Sequence, residues 1–354
     1  MHPRRALWIV NHKTLLPAEV PVLRSLGYEV FIPKVIPQVS DYRSAIVTHD
    51  YDCSLSVRPR VLDVLNFHNF YERSWPTTLQ RILNDNFSVL ITSWSAYSAP
   101  LFEALRHFDG LIVARVFGRE HPRRYTEFFD APSAHDMPET ILKAGNRFVF
   151  GQGFDALAEI EADCLKSRAH TITVPVPPYI WEKEGTWVGN ENQCLFLCPN
   201  IVDSPYYKAI YEQIGAEFQA LPYLIFGRQN IMPDDPHVLP YMSDLELLDL
   251  YARIKVFVYP SVEPRHVHYS PIEAMIVGAP VLFRKGGLLD SLGGNKQAGC
   301  CLNLDEMKAK ASRLLSGEAG LLREIQEDQK QIVQNFSLEL AKAQWSGLFS
   351  KHGY

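Results

Sequence analysis

Residues 255–289 read KVFVYPSVEPRHVHYSPIEAMIVGAPVLFRKGGLL, and this stretch decides the fold. Positions 256–259 are β-branched or aromatic and of strand length, and Pro260 closes them. A polar loop follows, with Glu263, Arg265, His266 and His268. Ser270-Pro271-Ile272-Glu273 then reads as a helix start. It offers a capping hydroxyl, a proline suited to the first turn and a glutamate three residues after the cap. Gly278 ends that helix, residues 279–283 form the next strand, and Arg284-Lys285-Gly286-Gly287 turns the chain into another helix. This alternation is the repeat of a doubly wound parallel sheet, in which ligands bind outside the carboxyl ends of the strands. Glu263 and the Gly286-Gly287 loop both fall at that edge. A helix N-terminus suits phosphate, and Arg284 and Lys285 add cations beside it. The stretch predicts a pocket for an anionic, phosphorylated ligand.

Working outward, 354 residues exceed one ordinary core and predict two α/β domains. Residues 6–10 read as the first strand, with His12, Lys13 and Thr14 in the loop at its carboxyl end. A helix over 17–25 and a strand over 28–32 complete a β-α-β opening. Residues 35–80 alternate polar and apolar pieces; Phe67, Phe70, Tyr71 and Trp75 read as packing first and as an acceptor surface second. Strands are predicted over 88–92, 110–116 and 147–150, and a helix over 156–165. The loop at 117–124 holds Arg119 and His121; the histidine titrates near neutrality and is the candidate for proton transfer, a passive loop position being the other reading. Residues 171–176 run extended into Pro175, Pro177 and Pro178, a stiff hinge.

The second half opens with a strand over 194–198 and continues with one at 223–228 that ends in Arg228. A helix over 245–253 shows apolar i, i+3, i+4 spacing in Leu247, Leu248 and Tyr251. Helices are expected over 305–315 and 321–333, and a last one runs from residue 335 toward Trp345. His266 and His268 would share one side of an extended segment, yet no third ligand accompanies them, and Asp234-Asp235 between prolines reads as a turn. No metal is expected. The net charge of −5 gives no footing for nucleic acid. The six cysteines contain no CxxC pair, which excludes a zinc ribbon and points to reduced thiols in the cytoplasm. The apolar run at 6–10 is too short for a signal-peptide core, and no run approaches the ~20 residues that span a bilayer. Peripheral contact with the cytoplasmic face of an inner membrane stays open.

The wording from Pro260 to Gly287 resembles the donor-site signature of GT-B glycosyltransferases, in the glycogen-synthase-like and bacterial mannosyl- or glucosyltransferase-like superfamily. Pro260, Ser261, Glu263, Glu273, Ala274, Met275, Gly278, Pro280, Val281 and Gly286-Gly287 carry the resemblance. Nine residues separate Glu263 from Glu273, more than the family pattern has, and Pro264 to Tyr269 replace its glycine–aromatic–glycine. The resemblance implies two Rossmann-like doubly wound domains facing a cleft. Residues 1–178 would be the acceptor side and 179–335 the nucleotide-sugar side, with a terminal helix over 336–354 packing back on the first domain. It implies retaining, metal-independent transfer from a nucleotide sugar to a glycan, lipid-linked or protein acceptor, in bacterial surface-glycan or glycoconjugate synthesis. The donor is a substrate, and no cofactor is implied. By position, Glu263 would contact the donor sugar. Lys208, Arg284, Lys285, Gly286 and Gly287 would hold its phosphates, with Arg228 replacing an arginine whose place Asn200 takes. Tyr241 and Met242 would meet the base, Ser270 would lie on the nucleotide, and Glu273 would either hold the ribose or cap its own helix. The enzyme would be a hexosyltransferase or an acidic-sugar transferase; Arg265, His266 and His268, standing for small residues, are the candidates for recognising an acidic sugar. His12, Lys13, Thr14 and Arg119 would face the acceptor, with His121 beside them. Two rivals stay open: a GT-B-shaped epimerase or hydrolase, which needs no acceptor, and a binding protein without turnover.

Overall fold

The computed structural model describes residues 4–10, 12, 14–33, 52–71, 74–94, 98–119, 122–132, 134–294 and 296–354. Lys13, His121 and residues 34–51 lie outside them. The chain forms two compact units, Met1–Pro175 with Ser337–Tyr354, and Val176–Phe336.

In the first unit the strands are β1 (Arg5–Ile9), β2 (Glu29–Phe31), β3 (Val89–Ser93), β4 (Leu111–Val116), β5 (Phe148–Gln152) and β6 (Ala169–Thr171). They form a parallel sheet in the order β2-β1-β3-β4-β5-β6. Both faces are covered by helices, so β3 and β4 are buried along their whole length. The strand order reverses between β1 and β3, and the loops after those two strands flank the switch point.

Arg115 breaks the apolar text of β4 and is fully buried beside Glu19, which is fully buried too. Their ion pair closes at 2.7 Å, and Arg115 also donates to the carbonyls of Gly151, Ile172 and Thr173. Burial pushes the Glu19 carboxyl up; the Arg115 guanidinium and the Trp8 indole N–H, 3.3 Å away, pull it back. The Leu338–His352 helix starts on Ser337, whose hydroxyl caps Leu340 N–H, and it packs on the Leu16–Ser25 helix. Gln344 Oε1 accepts from Thr173 N at 2.6 Å, and the Phe349 ring packs against Tyr28 at a tilt, 4.7 Å between centroids.

Two expectations fail here. Residues 156–165 are not one helix but a 3-10 segment, Asp155–Ile160, and a single turn, Asp163–Lys166. Glu161 interrupts them with extended backbone, because its buried carboxylate accepts from the Tyr125 and Thr126 amides at 2.8 and 3.0 Å. A helix at Met137–Ala144 and the short β6 were not anticipated. Of the 35–80 aromatics, Phe70, Tyr71 and Trp75 are core, whereas Phe67 is 88% exposed.

The second unit holds β7 (Glu191–Leu197), β8 (Tyr223–Phe226), β9 (Ile254–Tyr259), β10 (Val281–Arg284) and β11 (Cys300–Cys301). They are parallel in the order β11-β10-β9-β7-β8, so the switch point falls between β7 and β9. The Asp244–Arg253 helix opens with a capping box of Ser243 and Glu246. The next helix corrects the expected start. It spans Tyr269–Val277 with His268 as N-cap, so Ser270 and Pro271 sit inside the first turn. Every residue from Ser270 to Val277 is buried, so core packing sets the helix register. Glu273 is turned inward, its Oε2 accepting the Tyr251 hydroxyl at 3.4 Å, and the Ser270–Glu273 capping box does not form.

Both units are thus Rossmann-like α/β sheets. All six cysteines are unbridged. Among the described residues no helix is long and apolar enough to cross a membrane.

Candidate active site

In a parallel sheet every strand delivers its following loop to one edge, and in the second unit four of these loops carry the predicted residues. After β7 the chain reaches the Pro205–Phe218 helix, with Lys208 exposed in its first turn. After β8 come Gly227, at φ 134°, and the partly buried Arg228. A Cβ on Gly227 would lie 2.8 Å from Pro199 N, so only glycine lets the loops after β7 and β8 touch. Asn200 N donates to Arg228 O at 2.9 Å across the same contact. Asn200 has left-handed backbone, φ 48°, and a buried Oδ1 without a hydrogen-bond partner. Val238 bridges in parallel to Ile225 of β8, and the chain then runs on toward the same edge with Tyr241, 63% exposed, and Met242.

The loops after β9 and β10 are pinned to each other. Leu288 N donates to Glu263 O at 2.8 Å, and Glu263 N to Ser261 Oγ at 3.3 Å. A Cβ on Gly287 would lie 3.0 Å from Ser261 O, which explains a glycine there. This fixes the Glu263 backbone at the amino end of the short Leu288–Gly293 helix. Arg284 ends β10 with its Nε buried and without a partner, and Lys285 is exposed beside it. The glycine loop does not present its amides as expected. Gly286 N donates to Asp290 Oδ2 at 2.9 Å, a carboxylate of the same helix occupying the place assigned to phosphate.

Sequence reasoning missed a polar cluster across the switch point. Tyr207 and Tyr259 hydroxyls meet His268 at Nε2 and Nδ1, 2.8 and 3.0 Å away, and Tyr206 meets Ser261 at 3.4 Å. The adjacent tyrosines opening a helix after a strand were its one visible signal. Burial, with His266 alongside at 5.0 Å between rings, lowers His268 to about 3. The ring is neutral, so one tyrosine donates to it and the other accepts. His268 therefore braces the loop between Glu263 and the Tyr269–Val277 helix. Arg265 and His266 are partly buried in that loop.

In the first unit His12 follows β1 at the switch point. Its Nδ1 accepts from Leu15 N at 3.1 Å, and burial and then Arg115 lower it to about 4. Thr14 lies in the adjoining turn. Arg119 is held inside its own loop, by Arg124 O, by Glu127 at 3.3 Å and over the Phe128 ring. Asp235 confirms the turn reading of 234–235, accepting from His237 N and the Tyr211 hydroxyl at 2.8 and 2.7 Å. Among the described residues no group of three or more His, Cys, Asp and Glu could hold a metal ion.

The two partly buried imidazoles of His12 and His268 set an acid-stability prediction. Their folded pKa values lie below the unfolded value of 6.5, so below that pH the unfolded chain binds more protons and stability falls as pH falls. From pH 6.5 to 5 each is expected to remove about 1–2 kcal/mol, at about 1.4 kcal/mol per unit. Urea unfolding at pH 7 and 5 measures this, and His268→Gln should flatten the second unit's dependence.

No family model and no curated protein matches the chain. Solved structures do. A glycosyltransferase from Rickettsia africae ESF-5 superposes with a TM-score of 0.63 at 12% identity, covering 99% of this chain and 98% of that one. Sucrose-phosphate synthase from Thermosynechococcus elongatus gives 0.59 at 12% identity and 99% of both chains. A TarM variant from S. aureus, in complex with fondaparinux, alpha-GlcNAc-glycerol and UDP, gives 0.52 at 16% identity over 74% of this chain and 55% of its own. The fold of this chain is the GT-B glycosyltransferase fold.

Proposed function

We propose that the protein is a retaining, metal-independent glycosyltransferase that moves a sugar from a nucleotide-sugar donor to a hydroxyl of a glycan, lipid-linked or protein acceptor. The observation that carries this reading is the pinned pair of loops after β9 and β10. It pins the Glu263 backbone to the start of the Leu288–Gly293 helix, and the strand before that helix ends in Arg284, whose buried Nε has no partner. The barrier to transfer is loss of the donor's phosphate while positive charge grows on the sugar carbon. Arg284, Lys285, Lys208 and Arg228 supply positive charge to the leaving phosphate, and the Glu263 carboxylate faces the sugar. No cofactor enters. His12 and Thr14 belong to the acceptor side. A role in bacterial surface-glycan synthesis, in the cytoplasm or at the cytoplasmic face of the inner membrane, rests on the resemblance alone. The GT-B neighbours support sugar transfer as the class of activity.

The test is thermal unfolding against nucleoside mono- and diphosphates. A ligand at about 100 times its Kd adds about 2.7 kcal/mol to the unit that binds it, which raises Tm by roughly 5–10 °C. Selective stabilisation by one diphosphate is the expected result and names the base of the donor. Selective stabilisation by cytidine monophosphate assigns an acidic sugar to Arg265, His266 and His268. Indifference to all of them overturns the reading. With the donor known, consumption without an acceptor would make the chain an epimerase or hydrolase, and binding without turnover a binding protein.

A further inference from the structure

The amino edge of the first unit's sheet, where β4, β5 and β6 begin, holds a cavity of about 360 Å3. It lies at the opposite end of the strands from His12 and Phe117 and belongs to none of the loops discussed above. Arg147, Arg168, His170, Lys351, His352 and Tyr354 line it, and no Asp or Glu does. The lining is assembled from two distant parts of the chain, the β5–β6 region and the end of the Leu338–His352 helix.

Among the described residues no Asp or Glu side chain neutralises its cations. Arg147 donates to Phe108 O, and Arg168 to the Gly145 and Cys164 carbonyls and the Ser167 hydroxyl. All these acceptors are neutral, and among the described residues neither arginine nor Lys351 forms an ion pair. The carbonyls fix the guanidinium groups in place without meeting their charge. The imidazoles feel the excess. Burial, then Lys351 and His352, hold His170 below the usual imidazole range, and burial and Lys351 do the same to His352.

We infer that this cavity is a second ligand site, built for a small soluble molecule bearing a phosphate. Three permanent cations around one concavity match a multiply charged oxyanion, and preset arginine forks suit phosphate geometry. The volume falls within the roughly 300–1,000 Å3 of small-molecule sites, which leaves room for an organic body beside the phosphate. Tyr354 and the two histidines in the lining are ring side chains that can pack against that body.

The experiment titrates inorganic pyrophosphate into the full chain and follows the His170 and His352 ring C–H resonances, assigned with His170→Gln and His352→Gln. Both are expected to move together and saturate. Lys351→Glu, an exposed position without hydrogen bonds of its side chain, should weaken the midpoint about tenfold or more, as loss of a charged contact does. Arg284→Ala, in the other unit, should leave these shifts unchanged and so separates this site from the donor site. Resonances that stay still, or that move with the same midpoint in Lys351→Glu, overturn the inference.

Discussion

Arg115→Ala is expected to cost the first unit about 3–5 kcal/mol, the range for removing one partner of a buried ion pair. Set against the roughly 5–15 kcal/mol that hold a domain together, that is a large share. At about 2–4 °C per kcal/mol for a unit of this size, its transition should drop by roughly 6–20 °C. The substitution strands a fully buried carboxylate, Glu19, and takes the donor away from three carbonyls at once. Two of those carbonyls, Ile172 and Thr173, lie on the segment that leaves β6 for the unit boundary at Pro175. Thr173 is also tied to Gln344 of the last helix, so loss of the guanidinium loosens sheet and helix together. Calorimetry of the full chain should show the first unit's transition move while the second holds. Arg115→Met with Glu19→Leu should recover most of the loss, because a matched apolar pair leaves no buried charge. A single-variant loss under about 1 kcal/mol would show that the pair does not hold the sheet. A second readout follows from electrostatics: with the Arg115 charge gone, His12 should titrate above its present value of about 4.

That buried pair marks where sequence reasoning stopped. The central strands of both sheets were legible because parallel strands covered on both faces must be apolar throughout, and residues 89–93, 111–116 and 256–259 are nearly so; the short edge strands β6 and β11 were not. Gly278 was legible as a helix stop, and it takes the left-handed backbone, φ 103°, that the stop requires. Arg115 inside LIVARV and Glu19 inside a helix each look like local defects, and only the fold brings them together. Local chemistry misled at Ser270. Ser-Pro-Ile-Glu satisfies every local rule for a cap, yet burial of the whole 270–277 run moved the start to Tyr269 and sent Glu273 toward Tyr251. The helix 156–165 failed for a related reason, a long-range bond from Glu161 to the 125–126 backbone outweighing helical spacing. At the candidate site the charges were legible by type and by position at the strand ends. The His268 brace was not, because it needs Tyr207 and Tyr259 from two other elements.

Arg284→Ala is expected to lower kcat for sugar transfer by roughly 100- to 1,000-fold, the usual loss when one preorganised donor to a developing oxyanion is removed. Arg284 ends β10, at the carboxyl edge, and its Nε is buried without a partner. A buried donor in that state costs stability unless something completes it, and an anion at the strand end would do so. Lys285 is exposed and Lys208 is exposed, so their charges are screened and each should matter less. Asp290 sharpens the case. Its carboxylate occupies the Gly286 amide, so in the proposed reaction the Arg284 guanidinium, rather than that amide, would be the donor to the leaving phosphate. Initial rates over a range of donor concentrations decide the point, with Tm measured alongside to show that the variant is folded. A fall in kcat at nearly unchanged KM places the interaction in the transition state; a rise in KM alone would show ground-state binding and remove Arg284 from the leaving-group role. Arg284→Lys should recover only part of the rate, since an ammonium restores the charge but not the fixed fork that aims two N–H groups at one phosphate.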